Sequence, residues 1–197
     1  MNAATTCLLA LWLAWVVAWQ FAAPFTAPTR SAQSAVARLS HRVPIWFGWA
    51  LLFIPARNLG LLHDPFVPYY DWIPWFGTAT VAFGLGFAGW ARVHLGRFWS
   101  GRVVLKADHA LVRTGPYALT RHPIYTGLLL AFAGTAVARG DIAALAGLSL
   151  LVWGFSLKAR QEERLLLGHF GEAYRVYQRE VPALVPGLRR SSRHMTA

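Results

Sequence analysis

Of the 197 residues, 56% are apolar or aromatic and only 14% are charged, against about 25% charged in an ordinary soluble domain, so the chain lacks the polar surface a soluble fold requires. Ten Trp and twelve Phe demand burial and exclude intrinsic disorder, and a lone cysteine, Cys7, excludes a disulfide framework or a cysteine-based zinc site. The net charge of +11, combined with this apolar content, points first to a membrane protein with basic cytoplasmic loops rather than to a nucleic-acid binder.

The first apolar run, Cys7 to Ala23, is uncharged and has the roughly 17–20 residues that a crossing helix needs. Pro24 and Pro28 end it. No Lys or Arg precedes it, so it reads as an anchored span that enters with its N-terminus outside, not as a signal peptide. The second run, Val43 to Leu62, contains Arg57, close enough to the outer end to snorkel and read as a structural arginine. The third, Trp72 to Ala91, carries Gly84-Leu-Gly86-Phe-Ala-Gly89. A dinucleotide fingerprint of this form needs a strand before it and a helix after it. Inside an apolar helix, the small residues read instead as a surface for close helix packing.

A basic connection, 92–123, leads to a fourth run, Ile124 to Ala138. Arg139-Gly140-Asp141 then makes a tight turn into a fifth, Ile142 to Leu157, and the pair reads as an antiparallel helical hairpin. From Lys158 to Gln178 charge mixes with an apolar stripe in which Glu162, Leu166, Phe170, Tyr174 and Tyr177 recur at helical spacing, Lys158 sharing their face. Pro182 and Pro186 stop that helix. Of the nineteen basic residues, all but Arg57 and Arg139 fall in segments 24–42, 92–123 and 158–197, the segments that five spans with the N-terminus outside place in the cytoplasm. The expected fold is therefore an all-α integral membrane protein of about five transmembrane helices, N-out and C-in, with a C-terminal cytoplasmic amphipathic helix. It divides into N-terminal spans (1–91), a core with the polar motifs (92–188) and a basic tail (189–197).

The polar motifs flank the hairpin. Before it stand His109, Gly115-Pro116-Tyr117 and Arg121-His122-Pro123-Ile124-Tyr125. This stretch reads either as a polar loop with interfacial tyrosines and a snorkelling arginine, or as exposed backbone N–H groups around Gly115 and the next helix start that bind a carboxylate. After it come Glu162 and Glu163, adjacent acids in a basic segment. Glu162, on an apolar face, needs a cationic partner: Lys158, or a ligand ammonium. His109 and His122 have no carboxylate or thiolate set around them at metal-ligand spacing, so neither a metal nor nucleic acid is expected as a partner.

Taken together, Leu95-Gly-Arg-Phe-Trp-Ser, His109-x-Leu-Val-x-x-Gly-Pro-Tyr117 and Arg121-His-Pro-x-Tyr125-x-Gly127, followed by the hairpin and then Glu162-Glu163-x-x-Leu-x-x-x-Phe170-Gly-x-x-Tyr174-x-x-Tyr177, resemble the isoprenylcysteine carboxyl methyltransferase family. The resemblance covers about residues 92–188. It implies S-adenosylmethionine as cofactor, in a cytoplasm-facing pocket formed by these loops and the last two spans. It further implies that His109, Ala110, Leu111, Val112, Tyr117, His122, Pro123, Ile124 and Tyr125 line that cofactor, and that Glu162, with Glu163 beside it, meets its amino group. Relatives that act on prenylated cysteine place an arginine four residues before the glutamate. Here Lys158 stands there, so the cation survives and the planar fork for a carboxylate is lost. Lys158 and Arg121 are the candidate catalytic cations, Lys158 to neutralise or steer an anionic acceptor.

Methyl transfer from a sulfonium is an in-line displacement that asks mainly for alignment and exclusion of water. The ring faces of Tyr117 or Tyr125 can stabilise the sulfonium. A lipophilic acceptor enters from the bilayer, and small or lipid acceptors of the phospholipid or thiol kind fit the same scheme. Two further classes compete: a membrane steroid or enone reductase using NADPH, and a scaffold that binds neither cofactor.

Overall fold

The computed structural model describes residues 2–22, 35–55, 60–68, 70–96 and 111–187. Among them the regular structure is helical: α1 (Ala3–Ala22), α2 (Ala35–Phe53), a 3₁₀ turn (Gly60–His63), α3 (Trp72–Leu95), α4 (Pro116–Leu119), α5 (Pro123–Arg139), α6 (Ile142–Phe170) and α7 (Glu172–Glu180). The Asn2 side chain accepts the backbone N–H of Thr5 at 2.9 Å and starts α1. Pro123 opens α5 at its first turn, and Gly140, with φ +69°, ends it. Asp141 then caps α6 by accepting the N–H of Ala144 at 2.9 Å. The hairpin read from Arg139-Gly140-Asp141 is thus built from a left-handed glycine and an aspartate cap.

Close backbone approach sets the helix pairs. At Gly84 a β-carbon would lie 2.6 Å from the carbonyl oxygen of Gly127, and at Gly77 one would lie 2.5 Å from that of Gly134, so α3 and α5 meet main chain to main chain. Gly48 and Gly147 do the same for α2 and α6. Of the three glycines in the Gly84–Gly89 motif, Gly84 is the one at this contact; Gly86 has open space beside it. Trp12 of α1 stacks on Phe132 of α5 at 4.8 Å and donates its indole N–H to Thr135 Oγ1 at 3.0 Å, which ties the first helix to the hairpin. Helix hydroxyls fold back onto the carbonyl four residues earlier, as Thr78, Thr135, Ser149 and Ser156 all do, which satisfies them without water.

The elements depart from the sequence reading at two places. Helix α2 begins at Ala35 and ends at Phe53, not at Val43 and Leu62. Its first turns are polar and invisible to a hydropathy pattern, while its end is set by Arg139, whose guanidinium donates to the carbonyls of Leu51 and Leu52, each at 2.7 Å. Arg57 lies outside the described residues. At the other place, no boundary separates the fifth apolar run from the amphipathic segment: α6 runs unbroken through Lys158 to Phe170. The change there is one of composition, and nothing interrupts the backbone ladder until Gly171 turns with φ +55°. Tyr174 and Tyr177 therefore belong to a separate helix, α7, where both are buried.

Two helices, Ala3–Phe21 and Ile142–Phe170, are long and apolar enough to cross a membrane, and Pro123–Arg139 is a shorter apolar helix. Leu13, Phe21, Trp46, Phe47, Phe83 and Trp153 are exposed on the outside of the bundle. The bundle has two polar ends. At one, Arg139 pairs with Asp141 at 2.9 Å and the Thr78 hydroxyl reaches the carbonyl of Ala4. The other end holds the polar motifs.

Candidate functional site

The site forms where the start of α5, the last turns of the apolar part of α6, and α7 converge. The chain after α7 is fastened along the approach to α5: the N–H groups of Arg121 and His122 donate to the carbonyls of Pro182 and Ala183 at 2.9 and 3.0 Å. The Thr120 hydroxyl donates to Ala183 O at 2.7 Å and that of Thr126 to Leu184 O at 2.6 Å. These backbone N–H groups are engaged within the protein, as is that of Tyr117, which donates to Thr114 O. The N–H groups of Tyr117, Arg121 and His122 thus serve the fold.

Behind this strap lies Glu163. Its Oε1 accepts Arg121 Nε at 2.8 Å and lies 3.2 Å from His122 Nε2, while its Oε2 accepts Gln178 Nε2 at 3.1 Å. Arg121 also donates to the carbonyls of Gln178 and Val181. Arg121 and Glu163 thus tie α5, α6 and the end of α7 together, and both oxygens of Glu163 are used.

Glu162 differs. It accepts the Tyr125 hydroxyl through Oε1 at 2.5 Å, and its Oε2 lies 3.5 Å from His122 Nδ1. Its side chain keeps 20% of its surface exposed. Burial alone would lower the proton affinity of His122, but hydrogen bonds and charge from Glu162 and Glu163 outweigh it, and the imidazole pKa lies above the ordinary histidine value. His122 stacks parallel to Tyr125 at 5.5 Å, Lys158 Nζ sits 5.0 Å from the centre of the same tyrosine ring, and Phe155 closes in at 5.2 Å. The Tyr125 ring is therefore already engaged by a cation of this chain, so a sulfonium there would compete with Lys158.

Tyr117 is buried, lies against the His94 ring at 6.3 Å, and has its carbonyl held by the Tyr177 hydroxyl at 2.6 Å. Burial, and then the charge of Glu162, hold its hydroxyl protonated well above the ordinary tyrosine range. Ile124 is buried in the core, Leu111 and Val112 are half-buried, and Pro123 begins α5. The fold thus brings Arg121, His122, Tyr125, Lys158, Glu162 and Glu163 into one cluster, while His109 and Ala110 lie outside the described residues. Sequence reasoning missed Gln178 and the Thr120 and Thr126 fastenings, and it placed Tyr174 on the helical stripe without a role in the site. The Tyr174 hydroxyl is buried with no hydrogen-bond partner among the described residues, near Glu163 and Arg121. Spacing could have found Gln178, four residues after Tyr174 on the same helix. Nothing local marks the threonines. No group of three or more His, Cys, Asp or Glu able to hold a metal occurs among the described residues.

Residues 77–168 match the isoprenylcysteine carboxyl methyltransferase (ICMT) family. Over 99 residues the chain is 36% identical to a protein-S-isoprenylcysteine O-methyltransferase of Schizosaccharomyces pombe, covering 49% of this chain and 42% of the relative. It is 30% identical over 129 residues to protein-S-isoprenylcysteine O-methyltransferase B of Arabidopsis thaliana, covering 64% and 66%. A solved structure of the eukaryotic intramembrane Ras methyltransferase ICMT superposes with a TM-score of 0.51 at 25% identity, covering 78% of this chain and 52% of that one. The matches span 42%, 66% and 52% of these three relatives' own length. Through the matched stretch the chain is similar to the isoprenylcysteine carboxyl methyltransferase family.

Proposed function

We propose that this protein is an integral-membrane methyltransferase that uses S-adenosylmethionine and delivers the methyl group to a lipophilic or small acceptor. The observation that carries this reading is the division of labour in the glutamate pair. Glu163 is consumed by Arg121, His122 and Gln178. Glu162 accepts the Tyr125 hydroxyl and faces His122, its side chain about as exposed as that of Glu163 (20% against 17%). A carboxylate so placed fits the ammonium of the donor, and the Tyr174 hydroxyl, unpartnered among the described residues, offers an unused donor close by. On those grounds the residues fit the cofactor: Glu162 holds its amino group, and Leu111, Val112, Tyr117 and the His122–Tyr125 turn form its wall.

When bound, the cofactor supplies a methyl group on a sulfonium already activated as leaving group. The chain's residues orient and shield. Tyr125, by its hydrogen bond to Oε1, and His122, whose Nδ1 lies 3.5 Å from Oε2, fix the rotamer of Glu162. Arg121, with Glu163, holds the wall in register from behind and is a positioning residue in this reading. Lys158, one helical turn before Glu162, provides positive charge for an acceptor that becomes anionic as it reacts. The apolar exterior and the cluster of basic residues at the site end support a multi-pass protein whose site faces the cytoplasm. Isothermal titration of S-adenosylmethionine into detergent-solubilised protein tests the reading. Glu162→Ala weakens binding about 10-fold, or about 1.4 kcal/mol, and NADPH gives no heat in either protein. Unchanged affinity in the variant would remove Glu162 from the site.

A further inference from the structure

Helix α6 continues past its apolar run, and one face of it carries a pattern that the site does not use. Trp153, Leu157, Arg160 and Arg164 follow one another at steps of four, three and four, which forms one stripe along the helix. Trp153 is 57% exposed, Leu157 is half-buried and both arginines are exposed. Glu162, two residues from each arginine, falls on the opposite side of the helix, where it meets Tyr125. The stripe is therefore separate from the proposed donor site. The exposed arginines of this end fall into two groups. Arg175 and Arg179 pair with Glu172, and Arg113 pairs with Glu180. Arg160 and Arg164 make no ion pair or hydrogen bond with any described residue. One helical turn apart, two like charges repel, and an anion seated between them removes that cost. The depth of the pair identifies the anion. Arg160 lies about 10 Å along the axis from Trp153, at 1.5 Å per residue. An exposed indole marks the edge of the apolar layer. Side chains on a helix lean toward its N-terminus, here toward the bilayer, so both guanidiniums reach back to the layer of lipid phosphates.

We propose that this stripe of α6 binds an anionic phospholipid, with Arg160 and Arg164 holding the phosphate and the Trp153 ring lying along the glycerol and acyl region. This goes beyond the methyltransferase reading and requires only that α6 span the bilayer. Two planar guanidiniums offer paired N–H donors to the phosphate oxygens. A glycerol headgroup leaves the phosphate charge uncompensated and suits them. A choline headgroup brings a cation of its own against two guanidiniums and is disfavoured. The bound lipid fixes the depth of α6, whose opposite side carries Glu162.

Native mass spectrometry of the detergent-solubilised protein, mixed with equal amounts of dioleoylphosphatidylglycerol and dioleoylphosphatidylcholine, tests this. Wild-type protein retains the glycerol lipid roughly 30-fold over the choline lipid, the ratio expected for two arginines at an anionic surface. Arg160→Gln with Arg164→Gln brings that ratio close to one. Arg175→Gln with Arg179→Gln, which removes the same charge from α7, leaves it unchanged. Thermal unfolding in neutral detergent gives a second readout: dioleoylphosphatidylglycerol raises the melting temperature of wild type above that reached with dioleoylphosphatidylcholine, and inorganic phosphate at the same concentration does not. Equal retention of the two lipids by wild type, an equal loss of preference in the two double variants, or equal stabilisation by inorganic phosphate overturns the lipid site. Titration of S-adenosylmethionine into the same wild-type sample keeps the two readings apart: absent cofactor binding with the lipid preference intact overturns the methyltransferase reading alone.

Discussion

A histidine between two glutamates carries a signed dependence on pH. The His122 imidazole lies 3.5 Å from Glu162 and 3.2 Å from Glu163. Its pKa is raised in the folded protein because those carboxylates outweigh the penalty of burial. The unfolded value is about 6.5, so the stabilisation is fully present below that pH and is lost as pH rises through the folded pKa. Thermal unfolding of wild type and His122→Gln in detergent should therefore show the largest gap near pH 6, narrowing toward pH 9. A gap independent of pH would mean that His122 is held neutral. The same residues show what sequence can and cannot assign. Along the chain Glu162 and Glu163 differ only in that helical spacing puts Glu162 on the apolar face with Lys158. Their contrast, one turned to Tyr125 and the other locked by Arg121 and Gln178, depends on the strap after α7.

At the scale of elements, glycine sets how near the helices come. A side chain at Gly84 meets the α5 backbone at 2.6 Å, whereas Gly86, two residues on, meets nothing within 4 Å. Overpacking at such a contact costs about 1–3 kcal/mol, and here the neighbour is main chain, which cannot rotate away. Gly84→Leu should lower the melting temperature in detergent by several degrees and reduce cofactor binding, because α5 carries His122 and Tyr125. Gly86→Ala should leave the melting temperature unchanged or raise it, since alanine favours a helix interior by about 1 kcal/mol. Equal effects would refute the packing account. Helical periodicity located α3, α5 and the start of α6 to within a few residues. It misjudged α2, in whose polar first turns His41 is buried and bonded to Gln161 of α6, and it divided α6 at a change of composition that the backbone ignores.

For the whole molecule the question is direction. The N-terminal turn of α1 lies by the Arg139–Asp141 end, and the site lies at the opposite end, with Arg42, Arg92, Arg113, Arg121, Lys158, Arg160, Arg164, Arg175 and Arg179 on the turns around it. If basic turns stay in the cytoplasm, the N-terminus is outside. In a Cys7→Ser background expressed in bacterial cells, a membrane-impermeant maleimide should label Asn2→Cys in intact cells and Gly168→Cys only after permeabilisation. The reverse pattern would put the site on the outer face.

Composition and charge order along the chain suffice to read a helical, lipid-embedded protein and its expected orientation, because hydropathy and positive charge act on each segment independently of its neighbours. The ordered polar motifs around the hairpin suffice for the resemblance to the family, because they are contiguous in sequence. Tertiary structure alone decided which carboxylate Tyr125 holds and which arginine is spent on holding the chain together. The Tyr125–Glu162 and Arg121–Gln178 contacts join residues 37 and 57 apart, and a hydrogen bond between distant segments leaves no mark on the local pattern of either.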